Sequence, residues 1–91
     1  MSIRITWAPN TDPVASYNLW SGTTSTGSWS LVSNVPATIP GSNWDSIANV
    51  FYYDDTSGSL NTWYALSAVD GSGSESDRST AFQPGTNTQA Y

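Results

Sequence analysis

The segment at positions 63–69 restricts the fold most, because its side chains alternate with a period of two. Tyr64, Leu66 and Ala68 fall on one side of an extended chain, and a polar, glycine-rich turn follows. An amphipathic helix instead requires apolar residues at i, i+3, i+4 and i+7, and no window keeps that spacing for two turns. The segment therefore predicts a β-strand with one face towards a core.

Further short strand patterns recur along the chain, separated by turn residues. The pattern predicts strands at 2–7, 16–19, 29–32, 50–54, 63–69 and 79–82. The region 36–49 contains two prolines and is the least regular part. Short strands at this spacing indicate an all-β fold, an antiparallel sandwich of two sheets. We expect one domain at 1–83 and a polar C-terminal tail at 84–91, with no internal repeat.

The charge balance argues against two classes of partner. The 91 residues carry a net charge of -5, and Arg4 and Arg78 are the two cationic side chains. Such a chain can neutralise few phosphates, so we expect no binding to nucleic acid and none to an anionic membrane. Twelve aromatic residues, five of them Trp, supply material for a core. A disordered acidic segment would contain more charge and fewer aromatics.

The residue types that perform most enzymatic chemistry are missing from the sequence. With no His, Cys or Lys, a Ser-His-Asp arrangement and thiolate metal sites are impossible. Asp54 and Asp55 are adjacent, so on a strand they point to opposite faces and do not form a hydrolytic carboxylate pair. Asp70, Glu75 and Asp77 flank one turn but lack a calcium-loop motif. We expect a non-enzymatic protein without metal or cofactor.

The order of several short motifs resembles the fibronectin type III family. Tyr64-Ala65-Leu66-Ser67-Ala68-Val69-Asp70, then Gly73, Glu75 and Ser76, is similar to that family's penultimate strand and the turn after it. Ile5 and Trp7 before a proline resemble its second strand, and Tyr17 and Leu19 its third. The resemblance covers about Ile3 to Phe82. It implies a fibronectin type III or immunoglobulin-like sandwich.

The resemblance also implies a core and a structural role for one tyrosine. The expected core residues are Ile5, Trp7, Tyr17, Leu19, Tyr64, Leu66 and Ala68. Trp7 is expected to fill the space between the sheets. Tyr64 is expected to take the tyrosine-corner position, with its hydroxyl bonded to backbone across the turn.

The chain departs from the family at its N-terminus, where it begins almost at the second strand. The first strand is therefore missing, displaced or supplied by something else. A missing strand leaves an edge with unpaired backbone groups, which either is protected or pairs with a neighbouring chain. The tail Pro84–Tyr91 is one candidate donor for this edge.

Aromatic residues outside the expected core are candidates for an interface. They are Trp20, Trp29, Trp44, Trp63 and Tyr91, of which Trp20 and Trp63 are out of phase with the core faces of their strands. Exposed aromatics can form a protein interface or stack on sugar rings. The competing interpretation is that they pack against neighbouring strands or cover a sheet.

Two functions fit these expectations. The first is a virion structural protein of a bacteriophage, a capsid decoration or cement protein or a tail-attached one, which binds coat or tail subunits and can self-associate. It would be assembled in the host cytoplasm. The start Met1-Ser2-Ile3-Arg4 has no apolar signal region, which suggests a chain that is complete and unprocessed. The alternative is an extracellular accessory module, carbohydrate-associated, of a secreted bacterial enzyme, with weak glycan binding.

Overall fold

The computed structural model describes residues 3–11 and 13–84, and these residues form six β-strands. The strands are β1 (Ile3–Trp7), β2 (Ser16–Gly22), β3 (Ser30–Pro36), β4 (Trp44–Asp45), β5 (Val50–Asp55) and β6 (Trp63–Val69). One sheet has the order β1-β5-β4 and the other β3-β2-β6, and every pairing is antiparallel. The prediction of an all-β chain in two antiparallel sheets is confirmed, and the described residues contain no helix.

The two sheets enclose an aromatic core. Trp7 lies between them, with its ring centroid 5.6 Å from that of Tyr17 and 6.2 Å from that of Phe51. Across the pairing of β2 with β6, Leu19 lies opposite Leu66, and Tyr17 lies opposite the small Ala68. The seven residues expected in the core, Ile5, Trp7, Tyr17, Leu19, Tyr64, Leu66 and Ala68, all lie in the main cluster of buried apolar side chains.

Three further buried residues complete the core: Val35, Phe51 and Phe82. Val35 belongs to the half of β3 that the sequence pattern missed, because the strand was expected at 29–32 and occupies Ser30–Pro36. The pairing of β2 with β3 shifts between Leu19 and Trp20, so β3 contains one extra residue there. This bulge breaks the alternation and conceals the second half of β3 in the sequence.

The prediction of a regular last strand at 79–82 is wrong. The chain after β6 runs back along it but forms two isolated bridges, Val69 with Glu75 and Tyr64 with Phe82. Between the bridges, serine hydroxyls take the place of carbonyl acceptors. Ser76 Oγ accepts the Ala68 N–H at 2.9 Å, and Ser79 Oγ accepts the Leu66 N–H at 3.0 Å. The backbone N–H groups of the same serines donate to the Ala68 and Leu66 carbonyls.

The strand directions assign each loop to one of two ends. The apical end holds the connections from β1 to β2, β3 to β4 and β4 to β5, with the turn at 70–74. The basal end holds the β2–β3 loop at 23–29 and the β5–β6 loop at 56–62. In its sheet, β1 is an outer strand with β5 as its named neighbour. The tail expected to complete this edge lies, beyond Pro84, outside the described residues.

Candidate interaction surfaces

A buried hydrogen-bonded corner fixes the basal end. Tyr64 Oη donates to Asp55 Oδ2 at 2.7 Å, while Ser57 donates from its N–H and its hydroxyl to Asp55 Oδ1, each at 3.1 Å. Burial, followed by the hydrogen bond to Asp55, raises the pKa of Tyr64 well above its ordinary value. The expected acceptor was backbone and the observed one is a carboxylate, because Asp55 turns inward at the end of β5 and is only 6 % exposed.

Asp54, which precedes Asp55 in β5, points to the opposite face of that strand. Arg4 Nε and Nη2 donate to the two Asp54 carboxylate oxygens at 2.8 and 3.0 Å, and the guanidinium lies 4.2 Å from the Tyr52 ring centroid. The hydrogen bond from Arg4 lowers the pKa of Asp54. Asp54 and Asp55 therefore have separate structural partners and do not face a common substrate position.

At the apical end, Asp70 directs its carboxylate at groups of its own turn. Asp70 Oδ1 accepts the Ser72 hydroxyl at 2.7 Å and the backbone N–H groups of Ser72 and Ser74 at 2.9 and 3.0 Å. These bonds lower the pKa of Asp70, and the bond from the Ser72 hydroxyl has the largest effect. Within the described part of the chain, no three acidic residues come together in a group able to hold a metal ion.

Trp20 covers the outer face of the β3-β2-β6 sheet. Its Nε1 donates to Ser67 Oγ at 3.0 Å, and the Ser67 hydroxyl donates to Glu75 Oε2. Arg78 lies over the Trp20 ring at 4.9 Å. Ser67 and Ala65 are fully buried although they point away from the core, because this layer lies above them. Hydrogen bonds from Ser67 and then Asn18 lower the pKa of Glu75.

The other expected interface aromatics occupy different places. Trp44 packs on the core, with its ring 5.0 Å from that of Phe51 in an edge-to-face arrangement. Trp29 lies against Gly22 in the basal β2–β3 loop, where a Cβ on that glycine would be 3.1 Å from the indole. Trp63 is half-buried at the start of β6, and Tyr91 lies outside the described residues. These aromatics therefore do not form one common surface among the described residues.

Among the described residues, four large aliphatic side chains are exposed, three of them in loops and one, Leu31, in β3. Ile47, in the loop between β4 and β5, is 94 % exposed and Leu60, in the β5–β6 loop, is 72 % exposed. Ile39 and Leu31 are each 54 % exposed. Ile47 and Ile39 belong to the apical end, and Leu60 belongs to the basal end. The sequence pattern pointed to the tryptophans as interface residues and did not predict these exposed aliphatic side chains.

A small cleft, with about equal polar and apolar lining, opens at the apical end. It has a volume of about 170 Å³ and is lined by Pro9, Asn10, Val14, Tyr17, Ala37, Ile39 and Phe51. The buried Asn10 Oδ1 has no hydrogen-bond partner among the described residues, although the Asn10 N–H donates to Tyr17 Oη at 3.1 Å. The cleft can accept an aliphatic side chain.

A larger cleft lies at the basal end, between the β2–β3 and β5–β6 loops, and apolar atoms of its serine, threonine, asparagine and glycine residues form most of its surface. It encloses about 400 Å³ and is lined by Ser21, Gly22, Thr23, Ser28, Ser30, Ser59, Asn61 and Thr62. None of these lining residues is charged. No sequence pattern predicts this cleft, because its two walls come from segments about thirty residues apart.

Comparisons with protein-family models, with curated proteins and with solved structures give no match. The fibronectin type III resemblance therefore rests on the motifs of this chain alone. The described residues also contain no helix that is long and apolar enough to span a membrane.

Proposed function

We propose that the chain is a non-enzymatic structural protein of a bacteriophage particle, a capsid decoration or tail-attached protein that binds neighbouring coat subunits. The observation that carries this proposal is the apical end, where Ile47 is almost wholly exposed at the tip of a hairpin. Burying such a side chain against a partner contributes about 1.5–3 kcal/mol. The apical cleft beside Ile39 offers a receptor for an aliphatic side chain of the partner.

The hairpin that presents Ile47 is held in one shape. Asp45 Oδ1 accepts the N–H groups of Ile47 and Ala48 at 3.0 and 3.2 Å, and the Asn49 N–H donates to the Asp45 carbonyl at 2.8 Å. A preorganised loop loses less conformational entropy when it binds. The tip therefore suits a protein contact better than a flexible loop would.

We further propose that the two sheets form a fibronectin type III sandwich. Supporting this, β2 pairs with β6 as the third and penultimate strands of that family would, and Trp7 fills the space between the sheets. Tyr64 occupies the corner position next to the β5–β6 loop. The outer position of β1 fits a sandwich whose first strand is missing or is contributed from elsewhere.

Particle association tests the function directly. Particles would be purified on a density gradient from lysates of the source bacterium, and the protein would be quantified in them by mass spectrometry. Recombinant protein would then be added back to particles that lack it. We expect a fixed copy number per particle, and about tenfold weaker retention of Ile47→Asp than of the unmodified protein.

The matched control is Leu60→Asp, which places the same charge on an exposed aliphatic at the basal end. It should be retained like the unmodified protein. Absence of the protein from particles would overturn the proposal, and so would a hydrolase domain in the same reading frame. If particles retain Ile47→Asp and the unmodified protein equally, the apical end is not the docking surface.

The second candidate is an accessory, carbohydrate-associated module of a secreted bacterial enzyme. One observation favours it, the uncharged basal cleft lined by hydroxyl and amide groups. The two candidates use opposite ends of the molecule, so Ile47→Asp should leave the second function unaffected.

A further inference from the structure

We propose that the basal cleft is a binding site for a neutral saccharide. The proposal stands independently of association with a virion, and it would give the accessory-module candidate its ligand site. The cleft volume of about 400 Å³ falls within the range of about 300–1,000 Å³ that is typical of small-molecule sites.

Unused hydrogen-bonding groups line one wall of the cleft. The hydroxyls of Ser21, Thr23, Ser28 and Ser30 form no side-chain hydrogen bond to any described residue. The carboxamide of Asn61, on the other wall, likewise has no partner in that part of the chain. Hydroxyl groups both donate and accept, and an amide does the same, so together they match the alternating donors and acceptors of a polyol.

Both walls are already fixed in place by their own bonds. In the β5–β6 loop, the Ser59 N–H donates to Thr62 Oγ1 at 3.0 Å, and the Asn61 N–H donates to Ser59 Oγ at 3.3 Å. In the β2–β3 loop, Thr24 Oγ1 donates to the Gly27 carbonyl at 2.6 Å. Both loops that form the walls are thus ordered before a ligand binds, which reduces the entropy cost of binding.

The residues that line the basal cleft are all uncharged, which limits the class of ligand that it can bind. A phosphate or carboxylate ligand would need a cation, and neither arginine lines the cleft, since Arg4 binds Asp54 and Arg78 covers Trp20. A metal ion would need carboxylates, and none lines it. A neutral ligand rich in hydroxyls remains as the best chemical match.

Trp29 packs beside the cleft and is not itself one of its lining residues. It lies between the lining residues Ser28 and Ser30 and packs against Gly22, another lining residue. Its indole is half-buried. Trp29 therefore supports the Gly22 side of the cleft, and the ligand contacts of this proposal are those of the hydroxyl and amide groups.

Native gel electrophoresis with polysaccharides in the gel tests this site. The probes are a mixed-linkage β-glucan, a galactomannan and a xylan, with polygalacturonate as the charged comparison. We expect at least one neutral polymer to retard the protein. The double variant Thr23→Val/Asn61→Ala should bind that polymer about tenfold more weakly, because it removes two hydrogen-bonding groups and leaves the fold intact.

The matched control is Thr38→Val, which removes an exposed hydroxyl at the apical end. It should bind like the unmodified protein, and near-ultraviolet circular dichroism would establish that each variant is folded. No retardation by any neutral polymer, retardation by polygalacturonate alone, or equal weakening in the control would each overturn the site. None of these results bears on particle association, which is measured without saccharide.

Discussion

Tyr64 and Asp55, nine residues apart, meet at the basal end through a 2.7 Å hydrogen bond that is closed off from solvent on both sides. The hydroxyl donates and the carboxylate accepts. The bond spans the β5–β6 loop and ties one sheet to the other, because Asp55 ends β5 and Tyr64 belongs to β6. The loop forms one wall of the basal cleft, so the bond also determines where that wall stands.

Tyr64→Phe removes the hydroxyl and leaves the ring in place. Asp55 Oδ2 then loses its donor inside the protein, so the free energy of unfolding should fall by about 1–3 kcal/mol. Urea denaturation, with an unchanged m value, measures the loss. The control is Tyr53→Phe, whose hydroxyl has no partner among the described residues, and it should change stability by less than about 0.5 kcal/mol. Equal losses in both variants would contradict the role of this bond.

Gly58 gives the corner the space that it needs. A Cβ on Gly58 would collide with the Tyr64 hydroxyl and lie 3.0 Å from Asp55 Oδ2. Gly58→Ala should therefore destabilise the fold by about 1–3 kcal/mol. The loss should be smaller in the Tyr64→Phe background, with a coupling energy of at least about 0.5 kcal/mol.

Gly71→Ala provides the comparison for Gly58→Ala, because a Cβ on Gly71 meets nothing within 4 Å. We expect this variant to keep its stability or to gain slightly, since alanine restricts the unfolded chain more than glycine does. The explanation by steric collision fails if the two alanine variants lose the same stability, or if Gly58→Ala costs the same with and without the hydroxyl.

Glu75 should contribute to stability at neutral pH and lose that contribution in acid. Its pKa in the folded chain lies below the ordinary 4.5, chiefly because Ser67 donates to it. The contribution is therefore fully present above pH 4.5 and disappears as the pH falls through the lowered value. Stability measured by urea denaturation from pH 6 to pH 2.5 should fall less in Glu75→Gln than in the unmodified chain. An equal fall in both would contradict this assignment.

The Ser67 hydroxyl should control the pKa of Glu75 directly. Ser67→Ala removes the donor, so the pKa of Glu75 should rise towards its ordinary value in a carbon-detected NMR titration. Ser72→Ala should have the same effect on a different carboxyl group. It should raise the pKa of Asp70 and leave that of Glu75 unchanged. A shift of both carboxyl groups in either variant would indicate a general loosening of the structure rather than two separate bonds.

The sequence predicted the elements that have a regular local pattern. β6 has the predicted bounds, because Tyr64, Leu66 and Ala68 alternate without interruption. The strand predicted at the position of β3 is shorter than the observed strand, because the bulge in β3 disturbs the alternation before Val35. β4, with two residues, is too short to leave any periodic pattern. The all-β class therefore follows from sequence, whereas the bounds of β3 depend on its pairing with β2.

The candidate sites depended on contacts that no local pattern encodes. In the sequence, Asp55 has the pattern of an ordinary turn carboxylate. Its role becomes visible only in the folded chain, where Tyr64 and Gly58 lie close to it. The basal cleft requires the β2–β3 and β5–β6 loops to lie side by side, which only the pairing of β2 with β6 establishes. Ile47 is notable for its exposure, and exposure is a property of the folded chain.

The serine contacts along β6 allow some hydrogen bonds between β6 and the segment after it to break and form again without movement of the backbone. The Leu66 and Ala68 N–H groups are held by the Ser79 and Ser76 side chains, so a rotation about one side-chain torsion angle releases each of them. In a regular ladder the same release requires two backbones to separate. Hydrogen–deuterium exchange at these two amides would therefore follow the rotamer equilibrium of a serine, while the backbone carbonyls of Leu66 and Ala68 keep the segment attached to the sheet.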